Sequence, residues 1–188
     1  MGENWIMTNE WFDKPGGEPV ELKEADPLWP LVAAEWSNRI QSAIVPTVAR
    51  IEHVGSTSIP GLIAKPVLDL QVSVPDINDE SAYRPGLESL GLVLRQREPD
   101  HRFFRPRAGE PRVVHIHVCE EGSAWEHDVL RFREKLRADP NLAAEYATLK
   151  SGLADRYSTD RLSYNNGKRK MSSCVESLSC LQRNTRLF

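Results

Sequence analysis

The run from Val67 to Val74 constrains the fold of this chain more than any other segment. Apolar residues at positions 68, 70, 72 and 74 alternate in it with the polar residues Asp69, Gln71 and Ser73. A period of two places alternate side chains on opposite faces of a β-strand. The run therefore predicts a strand that covers a hydrophobic core with one face and presents a carboxylate on the other.

A turn of small residues precedes this strand and, together with it, indicates a site that handles phosphate. Gly55, Ser56, Thr57 and Ser58 offer backbone amides and hydroxyls, and the glycine allows a ligand to approach closely or the backbone to adopt a positive φ. A helix that began here would attract an anion with its free N–H groups. Asp69 follows as a candidate ligand of Mg²⁺, which prefers oxygen. By itself, the tetrad is more often an ordinary turn or helix cap.

The whole string HVGSTSIPGLIAKPVLDL, residues 53–70, resembles the GrpB family signature HxGSTxxPGLxxKPxxD. It is also similar to the DNA polymerase beta-like nucleotidyltransferase superfamily, in which a Gly-Ser turn precedes an Asp-x-Asp strand. The resemblance continues in HIHV at 115–118, in residues 132–150, and in Tyr164 and Lys168, so it covers roughly residues 20–175. It implies a nucleotidyltransferase-like mixed sheet, a nucleoside triphosphate as ligand and a divalent metal.

Gln71 departs from the superfamily pattern, in which active members carry a second acid two residues after the first. An amide oxygen can coordinate a cation but supplies no negative charge, so a site for two divalent ions would be weakened. Gln71 stays a candidate metal ligand beside Asp69, and two-metal catalysis is put in doubt.

A second strand, predicted at 112–118, places His115 and His117 on one face and carries no carboxylate. With Asp69 these histidines could form the two-histidine, one-carboxylate set that suits iron, manganese or zinc. They could equally be a general base and its neighbour, or hydrogen-bonded side chains on a sheet face. Asp69, His115 and His117 are therefore the catalytic candidates. His53 and His101 are expected to have no comparable pairing.

The order of predicted elements indicates an α+β fold in which helices cover a mixed sheet. Strands are expected at 20–23, 49–53, 67–74, 92–97, 101–105 and 112–118, and helices at 26–44 and 81–91. The C-terminal third is predicted to be helical, with Asp139-Pro140 starting a new helix and with Trp125 and Tyr146 as core residues. We expect one domain over 1–188, with a sheet core at about 20–120 and C-terminal helices at about 123–180.

Basic residues are the remaining binding candidates. Lysine acts on phosphate as a point charge, whereas the guanidinium group of arginine donates two parallel hydrogen bonds to its oxygens. Lys168, with Tyr164, falls where the family resemblance has its late tyrosine and lysine, and Arg105 is expected beside the His115 and His117 strand. Lys65 is the third candidate, with a surface lysine as the alternative interpretation.

Composition limits the function classes. The chain has 24 basic and 27 acidic residues, and its net charge of −3 argues against a general nucleic-acid binder. The mean hydropathy of −0.47 is typical of a soluble protein, and no apolar run has the length of a membrane span. The cysteines Cys119, Cys174 and Cys180 lack CxxC spacing, which fits free thiols in the cytoplasm. A nucleophilic role for Cys119 is the least favoured interpretation.

The leading hypothesis is an enzyme that transfers a nucleotidyl group from a nucleoside triphosphate to an unknown acceptor. The expected cofactor is Mg²⁺ or Mn²⁺, with a transition metal as the alternative, and the expected partner is a small-molecule nucleotide or phosphorylated ligand. A non-catalytic binding module is the second hypothesis, and a protein-interaction domain is the third. Because GrpB-like domains also occur joined to a dephospho-coenzyme A kinase, the resemblance makes a coenzyme-A-related ligand conceivable. The sequence does not indicate the oligomeric state.

Overall fold

The computed structural model describes residues 10–12, 19–47 and 49–176, with the backbone alone for 169–176. Its six strands are β1 (Glu10–Trp11), β2 (Arg50–Val54), β3 (Leu68–Val74), β4 (Leu92–Arg97), β5 (Arg102–Pro106) and β6 (Val114–Glu120). Its five α-helices are α1 (Trp29–Ala43), α2 (Arg84–Ser89), α3 (Ala124–Ala138), α4 (Pro140–Arg156) and α5 (Arg161–Glu176). The α+β class and the helical C-terminal region are confirmed.

The strands form one mixed sheet in the order β1-β4-β5-β6-β3-β2. The pair β3 and β6 is parallel, and the other four pairs are antiparallel. The connection between β3 and β6 contains α2 and the β4–β5 hairpin, which adds its strands on the far side of β6. Two strands distant in sequence therefore lie side by side in the interior of the sheet.

One face of the sheet is the hydrophobic core, as the alternation in β3 and β6 predicts. Leu70, Val72, Ile116 and Val118 are fully buried, and α1 and α2 cover them with a set that includes Ile40, Ile44 and Leu87. A second, smaller cluster joins α3 and α4 to the segment after β2, and it comprises Ile59, Leu62, Leu136, Leu142 and Tyr146. The polar face of β3 and β6 is thus left for other contacts.

The C-terminal helices begin where the sequence places their caps. Ser123 accepts a hydrogen bond from the backbone N–H of Glu126 at the start of α3. Asp139 accepts from the N–H groups of Asn141 and Leu142, and Pro140 opens α4. The predicted restart at Asp139-Pro140 is confirmed; the part of the predicted helical region beyond residue 176 lies outside the described residues. No described helix combines the length and the apolarity that a membrane crossing needs.

Several sequence predictions of elements are wrong in detail. The strand expected at 20–23 is a single bridge between Lys23 and Ala64, because no second pair extends the ladder. The helix expected from residue 26 begins at Trp29, since the Asp26 carboxylate accepts from Leu28 in a preceding turn. The helix expected at 81–91 divides into a three-residue 3₁₀ helix at Glu80–Ala82 and the short α2.

Candidate metal and phosphate site

The parallel pairing of β3 with β6 brings the predicted catalytic residues together. The register sets Asp69 opposite His115 and Gln71 opposite His117. Asp69 Oδ1 lies 3.1 Å from Nδ1 of His115 and 3.5 Å from Nε2 of His117. Because both strands turn their apolar residues to the core, these polar side chains share the opposite face.

These three side chains fit a divalent transition metal. One possible ligand atom from each side chain lies within 4.8 Å of the other two. Among the histidines, cysteines and acidic residues that the structure describes, no other three lie this close together. Ligand atoms about 2.1 Å from one ion, at angles of about 90–110°, lie about 3.0–3.4 Å apart. Two imidazole nitrogens and one carboxylate suit manganese, iron or zinc, whereas Mg²⁺ prefers oxygen alone.

The charge states of the site suit a cation. Burial alone raises the pKa of Asp69, but the adjacent imidazoles, His115 foremost, outweigh it and hold that pKa well below its usual range. Burial lowers the pKa of His115 and outweighs the opposing effect of Asp69. A carboxylate and a neutral imidazole are the forms that bind metals.

Gly55 brings the small-residue turn into direct contact with Asp69. Its φ is 70°, and a Cβ built on it would lie 2.3 Å from Oδ2 of Asp69. The register explains this approach, because Val54, the last residue of β2, pairs with Asp69. The turn and the carboxylate therefore belong to one site, as the motif predicts.

The hydroxyls of the turn all contact neighbouring groups of the protein. Ser58 donates to the Gly55 carbonyl at 2.7 Å, and the Thr57 hydroxyl lies 2.9 Å from Nε2 of His53; Thr57 and Ser58 are both buried. Ser56 is half-buried and hydrogen-bonds to Tyr146. The turn continues as a 3₁₀ helix of three residues, Ser56–Ser58, so the α-helix N-terminus considered for an anion does not exist here.

Gln71 is fully buried, next to the cluster. Its Nε2 donates to the Ser73 hydroxyl at 3.2 Å, and its Oε1 has no hydrogen-bond partner in the part of the chain that the structure describes. Cys119, on the adjacent strand, is buried with its sulfur 3.7 Å from the same hydroxyl, and burial raises its pKa to about 11. That environment opposes a nucleophilic thiol.

His101 pairs with the site, and the prediction that it lacks a comparable pairing is wrong. Its Nε2 lies 3.0 Å from Nδ1 of His117, and its Nδ1 lies 2.9 Å from a carboxylate oxygen of Glu98. Burial lowers the pKa of His101 to about 4. The antiparallel register of β5 on β6, which sets Phe103 opposite His117, places His101 at this point. His53 also has a partner, Thr57.

Trp125 is a site residue that the sequence interpretation assigned to the core. Its ring centroid lies 4.7 Å from that of His101, with the planes 12° apart, and 5.8 Å from that of His117. It reaches them because α3 begins shortly after β6 and returns across the polar sheet face. The signal available in the sequence was its position, eight residues after His117, near the start of a helix.

Three lysines lie against the rings of two buried tyrosines, Tyr146 and Tyr164. The ammonium nitrogens of Lys65 and Lys168 lie 5.1 and 5.0 Å from the ring centroid of buried Tyr164, so the structure brings these predicted residues together. Lys150 was missed. It is buried, donates to the Ile63 carbonyl and lies 4.9 Å from the Tyr146 ring centroid. Burial, and secondarily the charge of Lys168, lower its pKa to about 7.

Arg105 is placed on the expected face of the sheet. Phe103 lies opposite His117, and alternation along β5 puts Arg105 on the same side, where it is buried. The positive charge of Lys65 acts on His115 and is one reason for the lowered pKa of that histidine. Lys65 thus acts on the metal-ligand cluster, and Arg105 lies on the same face of the sheet as that cluster.

Comparisons with known proteins agree with the motif. A family model described as GrpB protein matches residues 19–177. A UPF0157 protein of Halalkalibacterium halodurans is 41% identical over 144 residues, which are 75% of this chain and 72% of that protein. A UPF0157 protein of Streptomyces coelicolor is 37% identical over 172 residues, which are 92% of this chain and 90% of that protein.

Structural similarity leads to the same family. The crystal structure of the conserved protein GrpB from Enterococcus faecalis superposes with a TM-score of 0.71 and 25% identity, over 82% of this chain and 96% of that one. More distant similarity joins this chain to a protein named dephospho-CoA kinase from Mycolicibacterium paratuberculosis. The two are 30% identical over 170 residues, which are 76% of this chain and 41% of that protein.

Proposed function

The chain belongs to the GrpB family, and from that premise we propose that it transfers a nucleotidyl group from a nucleoside triphosphate to an acceptor, with one divalent metal. The observation that carries the proposal is the convergence of Asp69, His115 and His117 within 4.8 Å, against the Gly55 turn. Metal ligands beside a small-residue turn and a group of lysines are the parts that phosphoryl chemistry needs.

Each part of the site has a distinct role in this proposal. Asp69, His115 and His117 would hold the metal, which when bound polarises a phosphoryl oxygen and neutralises charge on the transferring group. Ser56 and the backbone of the turn contact the phosphates. Lys65 and Lys168, whose ammonium groups both contact the ring of Tyr164, balance the negative charge of the triphosphate.

The proposal specifies one metal ion because the site has one carboxylate. Gln71 stands where a second acid would be, and its amide nitrogen already donates to Ser73. Two imidazoles and one carboxylate carry one negative charge, so they favour a single ion of the manganese, iron or zinc type. Mg²⁺ is expected to bind more weakly than Mn²⁺.

Gln71 in place of a second acid also favours a second candidate function, a module that binds a nucleotide or a phosphorylated small molecule without transferring it. The relatives named dephospho-CoA kinase make a coenzyme-A-related ligand one form of this alternative. The two candidates share the binding site and differ only in turnover.

Thermal unfolding with Mn²⁺, Zn²⁺ or Mg²⁺, each with nucleoside triphosphates or dephospho-coenzyme A, tests binding. A ligand at 100 times its dissociation constant stabilises the folded state by about 2.7 kcal/mol, which raises Tm by about 5–11 °C for a chain of this size. Asp69→Asn should abolish the metal-dependent part of the shift. Asp128→Asn, at an exposed aspartate on α3, is the matched control.

Release of pyrophosphate from the bound triphosphate, with transfer of the remaining nucleotide to an acceptor hydroxyl, distinguishes the two candidates. Metal-dependent binding without pyrophosphate release across a panel of acceptors would favour the binding module. Metal-dependent binding that Asp69→Asn leaves unchanged would refute both candidates at this site.

A further inference from the structure

A continuous chain of polar contacts leads from the proposed metal ligands to the β4–β5 connection. Asp69 Oδ1 lies 3.5 Å from Nε2 of His117, and Nδ1 of His117 lies 3.0 Å from Nε2 of His101. Nδ1 of His101 lies 2.9 Å from Oε2 of Glu98. Each imidazole therefore uses both of its ring nitrogens within the chain.

The surrounding structure holds this chain in place. The planes of the His101 and His117 rings are 18° apart and their centroids 5.2 Å apart, a geometry that allows an N–H···N hydrogen bond between the two rings. Trp125 stacks on His101, and Phe103 lies 5.3 Å from His117, centroid to centroid. The Glu98 backbone N–H donates to the His101 carbonyl at 2.8 Å and closes the connection between the strands.

The buried cation Arg102 fixes the same connection from the other face of β5. Its guanidinium donates to the backbone carbonyls of Glu98 and His101 and is itself paired with Glu80 at 2.8 Å. Through these two carbonyls, Glu98 and His101 are held against the sheet and do not belong to a loose loop. Glu98 and His101 have the fixed positions that an orienting role requires.

Two neutral imidazoles supply two N–H protons to three contacts, so the distances decide which contact has no proton. A carboxylate can only accept, so Nδ1 of His101 donates to Glu98. A neutral imidazole has one N–H, so Nε2 of His101 accepts, and Nδ1 of His117 must donate. The contact between Nε2 of His117 and Asp69 is the longest of the three, 3.5 Å against 3.0 and 2.9 Å, and lies at the limit of a hydrogen bond. In the neutral ring this Nε2 is therefore the nitrogen that keeps its lone pair.

We propose that Glu98 and His101 are positioning residues that hold His117 in its Nδ1–H tautomer and so present the Nε2 lone pair beside Asp69. The assignment of that lone pair to a metal rests on the proposed function; the tautomer itself does not. The arrangement deepens the metal proposal, because imidazole nitrogen favours Mn²⁺, Fe²⁺ or Zn²⁺ over Mg²⁺ and a fixed tautomer keeps that nitrogen ready to bind.

His115 provides an internal contrast. Its Nδ1 faces Asp69 at 3.1 Å, but its Nε2 is buried with no hydrogen-bond partner among the described side chains. No comparable chain orients it. The two histidines therefore have unequal roles, and His117 is the ligand whose orientation the protein fixes in advance.

Long-range ¹H–¹⁵N correlation spectra of the metal-free protein measure the tautomer directly. We expect His117 with a protonated Nδ1 and a bare Nε2. Glu98→Gln can donate as well as accept, so it should shift His117 toward a mixture of tautomers and weaken Mn²⁺ or Zn²⁺ binding about 10–100-fold. His101→Phe keeps an aromatic ring on Trp125 but removes both hydrogen bonds of His101, and should have the same effect. Glu120→Gln, at an exposed residue of β6, is the matched control.

The possible results separate this inference from the proposed function. A protonated Nε2 on His117 in the wild type would overturn the inference, as would an unchanged tautomer in folded Glu98→Gln. The predicted tautomer, lost in Glu98→Gln, supports it even where the wild type binds no metal or nucleotide. That last combination would refute the proposed function and leave the positioning roles of Glu98 and His101 established.

Discussion

Gly55→Ala tests how closely the turn and the metal-ligand strand depend on each other. The backbone at this position has φ 70° and ψ −171°, a conformation that is almost confined to glycine. A Cβ there would lie 2.3 Å from Oδ2 and 2.9 Å from Cβ of Asp69. Alanine therefore meets two separate obstacles, one in its own backbone and one in the strand opposite.

The two obstacles have estimable costs. A non-glycine residue in this backbone region costs about 1–3 kcal/mol. Forcing an additional methyl group into a filled space costs about 1–3 kcal/mol more, through displaced side chains and backbone. We therefore expect Gly55→Ala to lower the free energy of unfolding by about 2–6 kcal/mol, a large part of the about 5–15 kcal/mol typical of folded domains.

Urea unfolding of Gly55→Ala, of Gly61→Ala and of a double variant with Asp69→Ala tests the contact between Gly55 and Asp69. Gly61 has almost the same φ, 72°, but a Cβ there would meet nothing within 4 Å. Gly55→Ala should thus cost about 1–3 kcal/mol more than Gly61→Ala. Combining it with Asp69→Ala, which removes the carboxylate but not the Cβ, should recover a coupling of about 0.5–3 kcal/mol. Equal costs for the two glycines, together with additivity in the double variant, would refute the reasoning.

Three further predictions address residues around the site. Because burial lowers the pKa of Lys150 from 10.5 to about 7, the unfolded chain binds more protons between these values and stability rises with pH there. From about pH 7 to 9 the wild type should gain about 2 kcal/mol more than Lys150→Met in urea titrations; parallel curves would contradict this. Cys119, with its pKa raised from 9.0 to about 11, should be alkylated about 100-fold more slowly at neutral pH in the native than in the unfolded protein by mass spectrometry, and equal rates would count against its burial. Trp125→Leu should destabilise by about 0.5–1.5 kcal/mol more than Trp125→Phe in chemical unfolding, because only phenylalanine retains a ring over His101; a smaller loss for leucine would contradict the stacking role.

The sequence predicts β3 and β6 well because their side chains alternate strictly. Asp69, His115 and His117 follow directly from the period of two, and all lie on the predicted face. The pairing itself has no local signal, since nothing in either segment indicates that β3 and β6 are parallel neighbours in this register. The convergence at Asp69 is therefore a tertiary fact that the family motif implied and the strand patterns alone could not give.

The residues that sequence reasoning missed share a physical cause. His101 and Glu98 gain their roles through the register of β5 on β6, and Lys150 through the packing of α4 against the segment after the turn. A lysine in a helix is predicted to be exposed until the carbonyl that accepts its hydrogen bond is known. The strand expected at 20–23 failed for the opposite reason, because its local pattern has no partner strand to extend it.

The parallel pairing of β3 with β6 makes this site a measure of complete folding. Asp69 and His115 are 46 residues apart in the chain, so the connection between β3 and β6 must be closed before the two side chains can meet. Such a distant contact is made late, because closing the intervening loop costs entropy before any contact compensates it. A chain in which β3 and β6 have not paired therefore offers a metal at most the neighbouring His115 and His117, without Asp69. A metal that requires all three ligands would be captured only after these two strands have paired, so its retention would report that the sheet is assembled.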